Sequence, residues 1–230
     1  MLDERRMIGP VAHIHSDLPT KFGLPRQSGL VSELKARIVF EPLYRDPVAF
    51  RGLEGYSHLW LIWGFSENSR DTWAATVKPP RLGGNIRMGV FATRSPYRPN
   101  ALGLSSVKLE AIEMDEKLGP VLVVTGADLM DGTPIYDVKP YLPYTDSHPD
   151  AVGGFAAEFV DYHLDVEFPE HLLQRIPADK REALFGILAQ DPRPSYIEDP
   201  VRRYGFNYLT FDVRFTVDGR RLTVVEIADL

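Results

Sequence analysis

Short runs in which apolar and polar residues alternate, each closed by glycine, proline or aspartate-type turn formers, recur along this chain and predict a mainly β protein. Residues 7–16 (MIGPVAHIHS) alternate well enough for a first strand, which puts His13 and His15 on one face. Residues 21–30 (KFGLPRQSGL) form a loop, because Gly23, Pro25 and Gly29 exclude regular structure while Arg26 and Gln27 offer planar donors. A second strand is expected over 32–40, and Asp46 followed by Pro47 marks the start of a short helix that Gly52 ends. Residues 57–65 (SHLWLIWGF) are apolar at nearly every position, so a central strand buried on both faces is expected there. Further strands are expected over 88–93, 105–113 and 121–125, with 114–120 as a turn. Residues 128–134 (DLMDGTP) make a tight turn before extended structure over 134–141. At least six short strands with few helices indicate an antiparallel β-barrel, closed or nearly so.

The polar, turn-rich stretch 144–154 is the best boundary, giving a barrel domain over 1–147 and a small α+β domain over 148–230. In the second unit a strand is expected over 161–168. A helix follows over 178–190, with Leu184, Ile187 and Leu188 on one face and Asp179 in the first turn. Residues 191–194 (DPRP) stop that helix, and Asp218-Gly219 between 209–217 and 221–227 signals a closing β-hairpin.

At 230 residues and 44% hydrophobic content the chain can bury a core without staples. The absence of cysteine excludes disulfides, thiolate nucleophiles and Cys-ligated zinc. The N-terminus (MLDERRMIGP) is charged where a signal peptide needs an apolar run, and the longest apolar stretch is too short to span a bilayer. A soluble cytoplasmic protein without a membrane partner is expected. The formal net charge is -6, so a nucleic-acid contact requires a local basic patch. Residues 81–106 (RLGGNIRMGVFATRSPYRPNALGLSS) provide one. No acidic residue occurs between Asp71 and Glu110, whereas Lys78, Arg81, Arg87, Arg94, Arg98 and Lys108 do. Interleaved glycines and prolines let backbone amides approach a ligand on a stiff chain, and guanidinium forks beside exposed amides suit an anion.

Other constellations fail on spacing. Gly83-Gly84 leads into a strand rather than the helix of a dinucleotide site, and no P-loop or HExxH spacing exists. Ser57 beside His58 lacks the closing glycine of a nucleophile elbow. His13 and His15 have no third ligand nearby, so no metal site is expected. Among the acids, Asp128, Asp131 and Asp137 cluster around a Gly-Thr-Pro turn; Asp131 either caps that turn or holds a cationic group.

The runs KFGLPRQSGL, FRGLEGYSHLWLIWGF, VKPPRLGGNIRMGVFATRSPYRPNALGLS, DLMDGTPIYDVKPYLPYTDS and DPRPSYIEDPVRRYGF resemble the TrmO (TsaA-like) family of bacterial tRNA N6-threonylcarbamoyladenosine methyltransferases. The resemblance spans nearly the whole chain and is densest over 7–147. It implies an S-adenosylmethionine-binding barrel of non-Rossmann type, a small C-terminal domain, a homodimer, and methylation of the modified adenosine beside the tRNA anticodon. Carried over position by position, the family's donor site falls on Pro25, Arg26, Gln27, Ser66, Glu67, Arg94, Leu104, Asp131, Gly132, Thr133 and Pro134. Ser66 departs from the histidine that many relatives carry, and Ala101 from the usual proline. A sulfonium donor carries its own leaving group, so positioning dominates catalysis. The acceptor nitrogen is amide-like and needs a proton acceptor. Glu67 and Asp131 are the carboxylates in the matching stretches, as catalytic base or as partners of the donor's amino group. The alternative from another class is a non-catalytic RNA-binding or S-adenosylmethionine-sensing module that uses the same loops.

Overall fold

Strands β1 (Ala12–Ser16) and β2 (Lys35–Phe40) begin a barrel in the computed structural model, which describes residues 7–67, 72–82, 85–193 and 199–230. Next come β3 (His58–Gly64), the short pair β4 (Thr76–Val77) and β5 (Met88–Gly89), the long β6 (Leu102–Asp115), β7 (Gly119–Thr125) and β8 (Pro134–Pro140). Six of these close the barrel in the order β1-β2-β7-β6-β3-β8, every neighbouring pair antiparallel. Closure removes the free edges that an open sheet of such short strands would present. Alternation places Ala12, Ile14, Ala36, Ile38, Leu59, Leu61, Val107, Leu122, Val124 and Ile135 in a single interior cluster.

Two expectations change here. β3 is paired on both sides but is not buried on both faces: Leu59 and Leu61 point inward, while Trp60 and Ile62 are only partly covered. The Trp60 ring packs 5.5 Å from that of Tyr141, and its indole N–H donates to Asp146 Oδ2 at 2.9 Å. The strand expected over 88–93 is only the two-residue β5, followed by a 3-10 turn over Val90–Ala92. The threonine there prefers to close that turn, its hydroxyl donating to the Val90 carbonyl at 2.9 Å. The short helix after Asp46 forms as a 3-10 turn, with Asp46 accepting from the Val48 N–H.

After the barrel, α1 (Pro143–Asp146) is one turn, β9 (Asp165–Glu167) is short, and α2 (Glu170–Leu173) and α3 (Arg181–Ala189) precede β10 (Tyr204–Tyr208), β11 (Phe211–Asp218) and β12 (Arg221–Asp229). The second sheet has the order β10-β11-β12-β9, with β9 parallel to β12. α3 lays Leu184, Ile187 and Leu188 on a core that also contains Phe206, Tyr208, Val213, Phe215, Leu222 and Val224. The hairpin turn is Gly219-Arg220, one residue later than the sequence signal, with Asp218 opposite Arg221 and Gly219 at φ +57.

Leu18, Val31 and Leu34, all from the β1–β2 connection, belong to this second core rather than to the barrel interior. Gly23, at φ +86, lies so close to Phe206 that any Cβ would overlap the phenyl ring. Residues 21–30 are thereby held between the barrel and the small sheet, which fixes the Pro25-Arg26-Gln27 run in space.

Candidate functional site

A cavity of about 490 Å³ opens where the β1–β2 connection, the end of β3, the loop before β6 and the segment after β7 meet. Its size is that of a nucleoside-type ligand site. Four segments distant in sequence supply its polar groups: Arg26 and Gln27; Ser66 and Glu67; Arg94 and Arg98; and Asp128 with Thr133. Leu24, Trp63, Phe65, Leu104 and Leu129 supply apolar wall.

The basic loop is built by its own hydroxyls. The Thr93 Oγ1 accepts from the Ser95 N–H at 3.3 Å and the Ser95 Oγ from the Tyr97 N–H at 3.3 Å, a pair of side-chain-closed turns that Pro96 stiffens. Arg98 braces the loop by donating to the Thr93 and Ser95 carbonyls at 3.0 and 3.4 Å, so much of its hydrogen-bonding capacity is structural. Arg94 stays exposed and donates to Gln27 Oε1. Gln27 is oriented by donating its own amide N–H to the Arg26 carbonyl, and Arg26 donates to the Asp191 carbonyl at 3.2 Å. A chain of donors thus runs from the small unit to the guanidinium that faces the cavity.

On the opposite wall, the Trp63 indole N–H donates to Ser105 Oγ at 3.0 Å, and Ser105 Oγ donates to Asp128 Oδ1 at 2.6 Å. Ser105 is 1% exposed, a hydroxyl on the inward face of β6. Burial pushes the Asp128 carboxyl above the usual carboxylate range, opposed by the Ser105 hydrogen bond and by the positive charge of Arg94. The Trp63 ring lies across Gly103, its partner on β6, and 4.4 Å from the Phe65 ring centroid. Any Cβ at Gly103 would overlap the indole. Gly103→Ala is therefore expected to cost about 1–3 kcal/mol through overpacking, read as a lowered denaturant midpoint. It should also displace Trp63 from Ser105, visible as a changed indole N–H resonance. An unshifted midpoint would show that the ring has room to move.

Pro25, Arg26, Gln27, Ser66, Glu67, Arg94, Leu104 and Thr133 all line this cavity. Asp131, Gly132 and Pro134 do not. Their turn is sewn to β1: Gly132 N–H donates to the Ile14 carbonyl at 2.8 Å, Ser16 N–H donates to Asp131 Oδ1 at 3.1 Å, and His15 Nδ1 lies 3.3 Å from that oxygen. The two histidines of β1 face different carboxylates, His13 being 2.9 Å from Glu41. Trp63, Ser105 and Asp128 were not picked out as a group by sequence, although a serine at an inward position of an alternating strand was the available signal. Gly83, Gly84 and the side chain of Arg81 lie outside the described residues. Among the described residues no helix is long and apolar enough to cross a membrane.

The donor implied by the sequence fits this cavity on charge. It carries a carboxylate, an ammonium, a sulfonium and an adenine, and the walls combine a free-facing guanidinium, two carboxylates and mostly apolar surface.

Comparison with known proteins identifies the family. Residues 13–147 match the tRNA-methyltransferase O N-terminal domain and residues 161–230 the TrmO C-terminal domain. The chain is 41% identical over 212 residues to a tRNA (adenine(37)-N6)-methyltransferase of Escherichia coli, covering 89% of this chain and 90% of that protein. It is 38% identical to a putative S-adenosylmethionine-dependent methyltransferase of Pseudomonas aeruginosa, covering 90% and 91%. The crystal structure of TrmO from P. aeruginosa superposes with a TM-score of 0.79 at 33% identity, covering 98% of each chain.

Proposed function

Because the chain belongs to the tRNA-methyltransferase O family, we propose that it is an S-adenosylmethionine-dependent tRNA methyltransferase acting on N6 of the threonylcarbamoylated adenosine beside the anticodon. The observation that carries this is the convergence of Pro25–Gln27, Ser66, Glu67, Arg94 and Leu104, from separate parts of the chain, on one cavity of nucleoside size. When bound, the donor supplies an activated methyl group. The protein's part is to hold it: Arg94 as the cationic fork for the carboxylate, Leu104 and Trp63 as apolar surface, and Glu67 within the wall as a carboxylate for the ammonium or the acceptor. Thr133 contributes from the wall, and Asp131, Gly132 and Pro134, which do not line it, are assigned to the same donor site through the turn they share with Thr133, Asp131 as a further carboxylate. Ser66 offers a hydroxyl where many relatives place histidine. The barrel is assigned to residues 1–147 and the small unit to 148–230. The working unit is a cytoplasmic homodimer, and no metal takes part.

tRNA recognition rests on cations outside the cavity, since the chain as a whole is acidic. Arg87 reaches across β4 to Thr76, Arg202 lies over the Tyr204 ring, and Arg203 is exposed on the small unit 3.8 Å from Glu226. Incubation with labelled donor and tRNA bearing the threonylcarbamoyl group should label the tRNA, and nucleoside mass spectrometry should place the methyl on N6. tRNA affinity should fall with salt with a logarithmic slope of roughly -2 to -4, as a handful of loop phosphate contacts requires. Donor binding without any label transfer would favour the sensing module, and a salt slope near zero would remove the local patch.

A further inference from the structure

We infer that Asp128 is the catalytic group that takes the proton from the acceptor nitrogen, with Ser105 and Trp63 as its positioning residues. This rests on the methyltransferase reading and adds a residue that the family's donor motifs do not include.

The Trp63 indole N–H can only donate, so it must use a lone pair of Ser105 Oγ, and the single Ser105 proton is then committed to Asp128 Oδ1. The direction of the chain is fixed by chemistry rather than by choice of rotamer. Oδ1 is held as an acceptor by Ser105, so the carboxylate is oriented in the cavity wall before any substrate binds.

Burial raises the proton affinity of this carboxyl, which brings a weak base closer to the strength that proton removal from an amide-like nitrogen needs. The neighbouring charges oppose one another. Lys21, Arg26, Arg94 and Arg98 face the cavity with Glu67 and Tyr97, and Arg94 together with the Ser28 backbone N–H favours the ionised form. The group is thus more basic than a solvated aspartate, with the rise limited by Ser105, Arg94 and the Ser28 N–H. As the N6–CH3 bond forms, the donor's S–CH3 bond breaks with its electron pair passing to sulfur. The N6 proton moves to the Asp128 carboxylate, and the resulting neutral acid returns it to water.

Three variants and three readouts test this. Single-turnover methyl transfer to threonylcarbamoylated tRNA is followed against pH, and donor affinity is measured by calorimetry. In Asp128→Asn the amide oxygen still accepts from Ser105, so donor affinity should stay within about threefold. Transfer should fall on the order of 10²-fold or more and lose its pH dependence. In the wild type the rate should rise as pH rises through the Asp128 midpoint, since only the ionised form accepts a proton. Ser105→Ala removes a hydrogen bond that favours the ionised form. Both the rate midpoint and the Asp128 carboxyl titration by carbon-13 NMR, without donor or tRNA, should then move upward together. That shift decides the matter even if Asp128→Asn does not fold.

A tenfold loss of donor affinity with an intact saturated rate in Asp128→Asn would make Asp128 an ammonium partner and overturn the inference. So would a Glu67→Gln variant that alone loses the pH-dependent limb, or a Ser105→Ala variant with unmoved midpoints. A wild-type protein that transfers no methyl group to modified tRNA overturns the methyltransferase reading and this inference together. Wild-type transfer with an unchanged Asp128→Asn rate overturns only the latter.

Discussion

Arg94→Lys is expected to weaken donor binding by at least about tenfold, equivalent to roughly 1.4 kcal/mol, while leaving the thermal transition in place. The guanidinium is exposed and stands on a loop braced independently by Thr93, Ser95 and Arg98, so the fold does not depend on it. One of its nitrogens already donates to Gln27 Oε1, which leaves the remaining N–H groups oriented in a plane toward the cavity. A planar fork can grip both oxygens of a carboxylate, whereas an ammonium offers a point charge on a flexible stem. Lysine would keep the charge but lose both the Gln27 contact and the two-point grip. Calorimetric titration of donor into the variant measures the loss, and the methylation rate at low donor should fall in parallel. Unchanged affinity with an unchanged rate would return Arg94 to a structural role.

Much of the barrel was legible because its strands obey period two and end at strong turn formers. Ile14, Ile38, Leu59, Val107, Leu122 and Ile135 sit at the inward positions that alternation picks out. The misreadings have local causes. Residues 57–65 read as doubly buried because Trp60, Ile62 and Trp63 are large and apolar; Trp63 does pack against the barrel core, whereas Trp60 and Ile62 cover the outer surface of a single-layer barrel. β10 was missed because its sequence, YGFNY, carries Gly and Asn, residues that read as loop. It is held by pairing with β11 along all five residues and by burial of Tyr204, Phe206 and Tyr208. The strand expected over 161–168 forms only as Asp165–Glu167, which pairs in parallel with Arg221–Thr223 at the start of β12, a contact that no local pattern encodes.

The donor loops were found from motif runs, and most of them do meet in one cavity. The Trp63–Ser105–Asp128 chain is different, since its members are 42 and 23 residues apart and come together because β6 pairs with β3 on one side and with β7, which leads into Asp128, on the other. Likewise, nothing in the sequence of residues 21–30 announces that Leu18, Val31 and Leu34 anchor that segment in the second core.

Asp191→Ala is expected to destabilise the protein by about 3–5 kcal/mol, the cost of removing one partner from a buried ion pair. Asp191 accepts from Arg193 through both oxygens, at 2.9 and 3.3 Å, and its side chain is only 4% exposed with that of Arg193 at 12%. The Tyr162 hydroxyl also donates to Oδ2 at 2.9 Å, and burial followed by this contact pushes the Tyr162 hydroxyl pKa up. Alanine would leave the guanidinium without its carboxylate in a poorly hydrated place. It would also sit badly in the backbone, because Asp191 has φ +55 just beyond α3, a conformation that Asp, Asn and Gly tolerate better. The expected order of stability is therefore wild type, then Asp191→Asn, then Asp191→Gly, with Asp191→Ala lowest. Denaturant midpoints measure the series, and a loss under about 1 kcal/mol in Asp191→Ala would show that the pair is dispensable. Donor affinity should follow the same order, because the Asp191 carbonyl holds Arg26, Arg26 holds Gln27, and Gln27 orients Arg94. A variant that loses stability but binds donor normally would cut that chain at Arg26 and show that the cavity is organised by the barrel alone.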